Sequence, residues 1–220
     1  MDRYVIIVAG GKGKRMETEI PKQFLHIAGK PVLMHTINKI LGFDKTIQIV
    51  LVLPEPFIDF WKSLCNRFDF NQPHLVVKGG NTRFESVLCG LNETPKDCIV
   101  GVHDGVRPLV SHVTLHNVFK KAEKLGNAIP VVKVSESMRH ISDDKSKPVK
   151  RQDYRLVQTP QCFHSNLIKK AYGQKYRDDF TDDATVVEAL GEKINLVDGN
   201  YENIKITRPG DLKFAEAFLK

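Results

Sequence analysis

Short runs rich in β-branched residues alternate with segments of helix length along this chain of 220 residues. Strands are predicted over residues 5–8, 47–53, 74–77, 98–103 and 128–132. Helices are predicted between them over residues 31–41, 54–68, 83–91 and 111–125. An alternation of this kind predicts an α/β fold with a mostly parallel sheet and helices on both faces.

Residues at the element ends support these boundaries. Pro31 is suited to open the first helix and Gly42 to stop it, while Gly126 closes the fourth. Either Asn81 or Thr82 can cap the third helix. The rest of the chain predicts a returning segment at 156–163 and helices near 165–172, 181–190 and 209–219. It also predicts a strand over 203–209 that carries Lys205 on one face.

The composition suits one globular domain over residues 1–220, because 41% hydrophobic residues can build a core of that size. No run approaches 18 apolar residues, and the N-terminus lacks the features of a cleavable signal, so we expect a soluble, cytoplasmic protein without a membrane partner. Four cysteines stand far apart without a CxxC pair, which indicates reduced thiols rather than a zinc or disulfide framework.

The formal net charge is +7, which fits a partner carrying phosphates. Nucleic acid is one such partner, but aromatic residues do not interleave with the basic ones in any RNA-binding pattern, so no nucleic-acid partner is predicted. A basic protein that handles polyphosphates has the same electrostatic reason for its charge.

A glycine-rich loop, AGGKGKR at 9–15, follows the first predicted strand. Gly10, Gly11 and Gly13 let backbone N–H groups approach phosphate oxygens, and Arg15 and Lys22 can add positive charge. The spacing matches neither the Walker loop nor the dinucleotide fingerprint. The loop therefore predicts a phosphate cradle of another type, with a solvated glycine turn as the alternative.

Two more polar clusters follow predicted strands, and the carboxyl ends of parallel strands collect ligands. In the first, Asn81 and Ser86 can contact a base or ribose, although Asn81 can equally be a helix cap. In the second, Asp104 and Arg107 form either a structural ion pair or a ligand site. The ligand site is favoured because this cluster shares an edge with the glycine loop.

From about residue 133 to 157 the composition shifts to Ser, Asp, Lys and Arg. Such a stretch has too little apolar content to pack alone. We expect a projecting arm that a second copy of the chain covers, giving a homodimer.

Seven elements occur in order over nearly the whole chain: AGGxGxRM, PKQ, GGxxR, HDxxRP, TPQ, TDDA and NIKITRPxDL. This set resembles the 2-C-methyl-D-erythritol 4-phosphate cytidylyltransferases of the non-mevalonate isoprenoid pathway. Ribitol-5-phosphate cytidylyltransferases share most of it, but TDDA at 181–184, residues 136–139 and Arg208 are more similar to the erythritol enzymes. The resemblance implies a Rossmann-like fold of the nucleotide-diphospho-sugar transferase type.

The resemblance also implies a reaction in which a polyol phosphate attacks the α-phosphorus of CTP and releases pyrophosphate. Mg²⁺ would be held mainly through the CTP phosphates, with no protein ligand assigned. The implied catalytic residues are Arg15, Lys22, Arg151 and Lys205. The implied CTP-binding residues are Ala9, Gly10, Gly11, Gly13, Gly80, Asn81 and Ser86. The acceptor would meet Asp104, Arg107, Ser137 and Thr159, with Arg151 and Thr159 reaching over from a partner subunit.

Two positions depart from the family pattern: Asn81 replaces a frequent acidic residue, and Gly105 replaces the alanine of HDAARP. Two other classes stay open from the sequence. A non-catalytic CTP-binding protein is disfavoured by the intact set of cations. A dinucleotide-dependent oxidoreductase is disfavoured because Met16 occupies the place of the third fingerprint glycine.

Overall fold

A computed structural model of the chain describes residues 1–11, 20–143 and 145–219. The strands of its central sheet are β1 (Arg3–Val8), β4 (Gln48–Leu53), β5 (Leu75–Lys78), β6 (Ile99–Asp104), β7 (Asn127–Lys133), β10 (Arg155–Val157), β11 (Gln161–His164) and β12 (Leu196–Asp198). Their order in the sheet is β10-β7-β11-β6-β1-β4-β5, and β12 pairs with β7. A small antiparallel pair, β2 (His26–Ile27) and β3 (Lys30–Pro31), lies outside it.

The sheet is mixed, with its central strands parallel. β1 pairs in parallel with both β4 and β6, and β4 pairs in parallel with β5. The returning segment behaves differently, because β11 enters antiparallel between β6 and β7. The chain leaves β7 through a hairpin and comes back along the same side, so the strand that re-enters runs in the opposite direction.

Seven α-helices lie in the described residues, and every predicted helix has a counterpart among them. They are α1 (Val32–Phe43), α2 (Ile58–Arg67), α3 (Arg83–Asn92), α4 (His112–Leu125), α5 (Ser165–Tyr172), α6 (Asp183–Glu188) and α7 (Pro209–Ala217). α2 starts later than predicted because a 3-10 turn over Glu55–Phe57 precedes it. α6 is shorter than predicted, and Asp182 caps it. Gly126 closes α4 with a left-handed backbone, φ 87°.

Both faces of the sheet are covered, as the alternation predicted. On one face Ile7 belongs to a buried cluster with residues of α1, α2 and α4. On the other, Ile6 belongs to a cluster with residues of α3, α5 and α6. Consecutive residues of a strand point to opposite faces, so a fully covered strand is apolar throughout.

The strand predicted over 203–209 is wrong, since residues 203–207 are irregular and Pro209 begins α7. Asn203 and Ile206 are buried, and the Ile206 N–H donates to the Val106 carbonyl at 3.0 Å. Ile206 packs in a third cluster with Val106 and Ala215. Polar and apolar residues alternate in this segment, but the buried residues Asn203 and Ile206 are three apart, so its burial does not follow the period of a strand.

The polar stretch forms a hairpin of β8 (Met138–Ser142) and β9 (Lys145–Val149), which pair with each other and not with the central sheet. Its side chains are mostly exposed. At its base, Arg155 of β10 is paired with Lys133 of β7. No helix in the described part of the chain is long and apolar enough to cross a membrane.

Candidate active site

Three loops meet at the carboxyl edge of the sheet. The Ala9 N–H donates to the Val52 carbonyl at 3.0 Å, the Gly79 N–H to Leu53 at 2.8 Å, and the Gly105 N–H to Val8 at 3.0 Å. Together they border a cavity of about 300 Å³. Residues predicted for the site that line this cavity are Ala9, Gly10, Gly11, Lys22, Gly80, Asn81, Ser86, Asp104 and Lys205.

The loop before α3 is fixed by its own capping box. Thr82 accepts the Glu85 N–H at 3.1 Å, and the Glu85 carboxylate accepts the N–H groups of Asn81 and Thr82 at 2.6 and 3.1 Å. Thr82 is therefore the cap, which leaves the exposed Asn81 side chain available for a ligand. A Cβ on Gly80 would lie 2.3 Å from Glu85 Cβ, so a side chain there is incompatible with this loop.

Lys22 lies in a 3-10 turn over Lys22–Phe24 that is anchored on both sides. The Gln23 amide donates to the Ala9 carbonyl at 2.7 Å, which joins this turn to the glycine loop. Phe24 packs against Phe60 and Trp61 at ring distances of 5.2 and 6.3 Å. Gln23 lines the cavity and was missed from the sequence, where only its place in PKQ pointed to it.

Asp104 ends β6 within reach of two cations. Its Oδ2 lies 3.0 Å from Arg107 Nε and 3.2 Å from Lys205 Nζ. Burial by itself raises the pKa of the Asp104 carboxyl, but Lys205 and Arg107 outweigh it and hold that pKa well below its usual range. Asp104 is thus an ionised member of an ion-pair cluster whose carboxylate and lysine also line the cavity.

Thr159 lies directly behind Asp104 in the same chain. Its hydroxyl accepts the Asp104 N–H at 3.1 Å and contacts His103 Nδ1 at 2.9 Å, and the residue is buried. Both partners of the Thr159 hydroxyl belong to its own chain. That Thr159 reaches over to another subunit stays a prediction.

An ion pair between Arg83, which lines the cavity and is partly buried, and the fully buried Asp183 was not predicted. Arg83 donates to both oxygens of Asp183 at 2.9 and 2.6 Å, and the Tyr172 hydroxyl donates to the same carboxylate at 2.6 Å. Burial lowers the pKa of Arg83, but the fully buried Asp183 more than compensates and raises it above its usual range. Both residues stand in recognised motifs, but no spacing rule relates positions a hundred residues apart.

Other predicted site residues lie away from the cavity. Ser137 and Arg151 belong to the arm, where the Arg151 guanidinium donates to the Ser135 carbonyl. Arg107 reaches the site through its contact with Asp104. Gly13 and Arg15 lie outside the described residues.

The described residues do not fit a metal held by the protein. No group of three His, Cys, Asp or Glu side chains with suitable placement occurs among them. Asp104 is the acidic residue in the cavity lining, and its carboxylate already contacts two cations. A divalent ion would therefore need ligands from the substrate.

A glycine loop at the end of the first strand and a buried lysine beside it line one cavity at the carboxyl edge of the sheet. This combination defines a nucleotide-binding α/β protein of the nucleotidyltransferase type. Comparison with protein families makes this specific. Residues 4–220 match the family model described as IspD: 2-C-methyl-D-erythritol 4-phosphate cytidylyltransferase, and the chain belongs to that family.

Relatives agree over their full length. The chain is 52% identical over 219 residues to the 2-C-methyl-D-erythritol 4-phosphate cytidylyltransferase of Bacteroides thetaiotaomicron, covering 100% of both chains. It is 48% identical to that of Porphyromonas gingivalis, covering 99% of this chain and 97% of the relative. The crystal structure of the Thermus thermophilus enzyme has a TM-score of 0.80 at 30% identity and covers 99% of this chain and 98% of its own.

The His103 environment predicts a pH dependence of stability. Burial lowers the pKa of His103 from 6.5 to about 4. Between these two pH values the unfolded chain therefore binds a proton on this histidine that the native state does not bind. As the pH falls from 6.5 to 4, we expect this group to remove about 3 kcal/mol from the free energy of unfolding. Urea denaturation of wild type and His103→Gln at pH 7 and pH 4 measures it.

His103→Gln should have a lower free energy of unfolding than wild type at pH 7, and the difference between the two free energies should be smaller at pH 4. The exposed His116→Gln is the matched control and should follow wild type at both pH values. A gap between wild type and His103→Gln that stays constant would contradict the assignment.

Proposed function

We propose that this chain transfers the cytidylyl group of CTP to 2-C-methyl-D-erythritol 4-phosphate, releasing pyrophosphate and forming CDP-methylerythritol for isoprenoid precursor synthesis. The whole of residues 1–220 works as one nucleotidyltransferase domain, with the arm as a projection from it. Family membership supports the reaction. The observation that carries the site assignment is the cavity in which Lys22 and Lys205 meet the glycine loop.

CTP occupies the part of the cavity formed by the two glycine loops. Gly10 and Gly11 of the loop after β1 would offer backbone N–H groups to the phosphates, whereas the Ala9 N–H donates to the Val52 carbonyl and ties this loop to the sheet. Gly13, the other residue that the resemblance assigns to CTP in this loop, lies outside the described residues. Asn81 and Ser86 face the base and ribose beside Gly80, where a side chain would obstruct the loop. Because the capping box satisfies the N–H groups of Asn81 and Thr82, the Asn81 side chain is left to provide a donor and an acceptor.

The chemical step needs positioned cations more than a base. The acceptor phosphate is already an anion, so the barrier lies in bringing anions together and in stabilising charge on the α-phosphate. Lys22 and Arg15 supply that stabilisation. Lys22 is suited to it because the Gln23 and Phe24 contacts fix its turn before substrate arrives.

The acceptor binds on the side of the cavity where Asp104 and Lys205 lie. A carboxylate beside two cations can accept hydrogen bonds from polyol hydroxyls while the cations contact the phosphate. Arg107 and Thr159 belong to this side through their contacts with Asp104. Ser137 and Arg151 would be supplied by the arm of a second copy.

The homodimer is supported by apolar side chains that the hairpin and its base expose. Ile141 is 66% exposed, and Tyr154, Leu156 and Val157 are 45%, 55% and 43% exposed. Side chains of this size gain most from burial by another surface. A second copy would cover them and bring Arg151 to the acceptor.

Mg²⁺ would be held mainly by the CTP phosphates, and it would supply positive charge there that the described residues are not placed to supply by binding a metal themselves. The cytoplasmic location favoured by the sequence stays a prediction, as does the exclusion of nucleic acid as a partner.

The reaction is tested by pyrophosphate release from purified protein with CTP, Mg²⁺ and either methylerythritol phosphate or ribitol 5-phosphate. We expect release with methylerythritol phosphate alone. Release with ribitol 5-phosphate alone would keep the mechanism and replace the acceptor. Release with neither would favour a non-catalytic CTP-binding protein.

Replacing Lys22 tests the transition-state assignment. Lys22→Ala should lower kcat by a factor of about a hundred or more, because it removes charge that acts on the reacting phosphate. Steady-state kinetics measure the effect on kcat, and a thermal melt measures separately whether the fold is kept. Lys62→Ala removes a lysine that is 65% exposed and paired with Asp59, and it should leave kcat unchanged. Near-normal turnover in Lys22→Ala would reject the role.

Replacing Arg151 tests the arm. Arg151→Ala should raise KM for the acceptor far more than KM for CTP, because the arm would complete only the acceptor side. Lys147→Ala, an exposed change in the same hairpin, is the control and should alter neither. Equal increases in both KM values would argue against a phosphate clamp contributed by the arm.

A further inference from the structure

The buried residues His103, Thr159 and Asn203 and the partly buried Arg107 form a closed ring of hydrogen bonds beneath the acceptor side of the cavity. His103 Nε2 lies 3.1 Å from the Arg107 carbonyl, and Arg107 Nη1 donates to the Asn203 carbonyl at 2.7 Å. Asn203 Nδ2 donates to the Thr159 carbonyl at 2.9 Å. The Thr159 hydroxyl closes the ring at His103 Nδ1, 2.9 Å away.

The partners fix the direction of each bond. A carbonyl only accepts, so His103 Nε2 carries the hydrogen. His103 is neutral, because its complete burial disfavours the charged ring, and Nδ1 is then an acceptor. The Thr159 hydroxyl donates to Nδ1 and is left with lone pairs, one of which accepts the Asp104 N–H at 3.1 Å. One tautomer of His103 therefore satisfies the whole ring.

The ring joins three chain segments that carry the charges of the acceptor side. Asp104 follows His103, and Lys205 lies two residues after Asn203. Asp104 Oδ2 lies 3.2 Å from Lys205 Nζ. A shift of any ring member would move the Asp104 carboxylate relative to the lysine ammonium.

Stability alone does not explain the ring. Asn203 Oδ1 is buried and has no hydrogen-bond partner among the described residues. An unpaired buried acceptor destabilises a fold, and such atoms call for another explanation.

We propose that His103 and Thr159 are positioning residues for the acceptor, acting through the ring to hold Asp104 and Lys205 in place. This inference rests on the proposed function. Neither residue needs to touch the substrate, and neither lines the cavity.

The test is a kinetic comparison of Thr159→Val with Thr159→Ser. Valine keeps the shape and removes the hydroxyl that serves His103 and the Asp104 N–H, whereas serine keeps that hydroxyl. Thr159→Val should raise KM for methylerythritol phosphate by about tenfold or more and KM for CTP by less than about twofold. Thr159→Ser should stay near wild type.

Thr94→Val is the matched control, because Thr94 is also buried and its hydroxyl donates to the Leu91 carbonyl at 2.9 Å. Thr94 follows the C-terminal end of α3 and does not line the cavity. It should lower the melting temperature without altering either KM. If Thr159→Val does not fold, His103→Gln takes its place, since it also breaks the contact with Thr159. Kinetics of Thr159→Val that match Thr94→Val, or equal increases in both KM values, would overturn the proposal.

A second readout does not depend on turnover. Nitrogen-15 NMR of labelled wild-type protein at pH 7 should show His103 with Nε2 protonated and Nδ1 bare, and Thr159→Val should shift the Nδ1 resonance. A protonated Nδ1 would overturn the ring. Wild-type protein that shows this tautomer but releases no pyrophosphate would overturn the acceptor role and the proposed function, while the ring geometry would stand.

Discussion

The cavity depends on backbone hydrogen bonds that extend the parallel ladder just beyond its strands. Ala9, Gly79 and Gly105 each donate to a neighbouring strand immediately after their own strand ends. The three loops therefore leave the sheet from fixed points, close to one another. A parallel sheet places the ends of successive strands at one edge, and here the added bonds also fix the loops. The side chains of the three loops can therefore line one cavity without long flexible segments between them and the sheet.

Charge in the cavity is balanced before any substrate is present. Lys205 and Arg107 would repel each other without Asp104, whose carboxylate contacts both. Like charges held together in a partly buried site destabilise a fold, and an intervening carboxylate offsets that cost. A polyanionic substrate brings further negative charge into the cavity, which Lys22 also lines. The arrangement suits a protein that is stable when empty and attracts anions.

Much of this fold could be predicted because its signals are local. β-branched runs and capping residues identified five of the eight strands of the central sheet and all seven helices of the described residues, and glycine clusters after strands identified the cavity. What sequence reasoning missed depends on distant pairs. The contact of Arg83 with Asp183 joins residues a hundred positions apart. The segment at 203–207 alternates polar and apolar residues like a strand, but its buried residues, Asn203 and Ile206, are three apart and it joins no strand ladder. The position of Thr159 behind Asp104 follows from the antiparallel return of β11, which strand–helix alternation does not predict.

The two sides of the cavity are built differently, and that difference bears on the reaction. The loops of the nucleotide side are tied down within one chain by the capping box and by the Gln23 contact. On the acceptor side, Asp104 and Lys205 are fixed from behind by buried polar groups, but the arm residues Ser137 and Arg151 lie away from the cavity of their own chain. A rigid base with an incomplete cover can hold a small phosphorylated polyol only when something else closes over it. In the proposed function, the buried ring fixes Asp104 and Lys205, and the arm of a second copy covers the acceptor. Substitutions in the ring should therefore weaken acceptor binding by displacing Asp104 and Lys205, whereas substitutions in the arm should weaken it by removing contacts from the partner subunit.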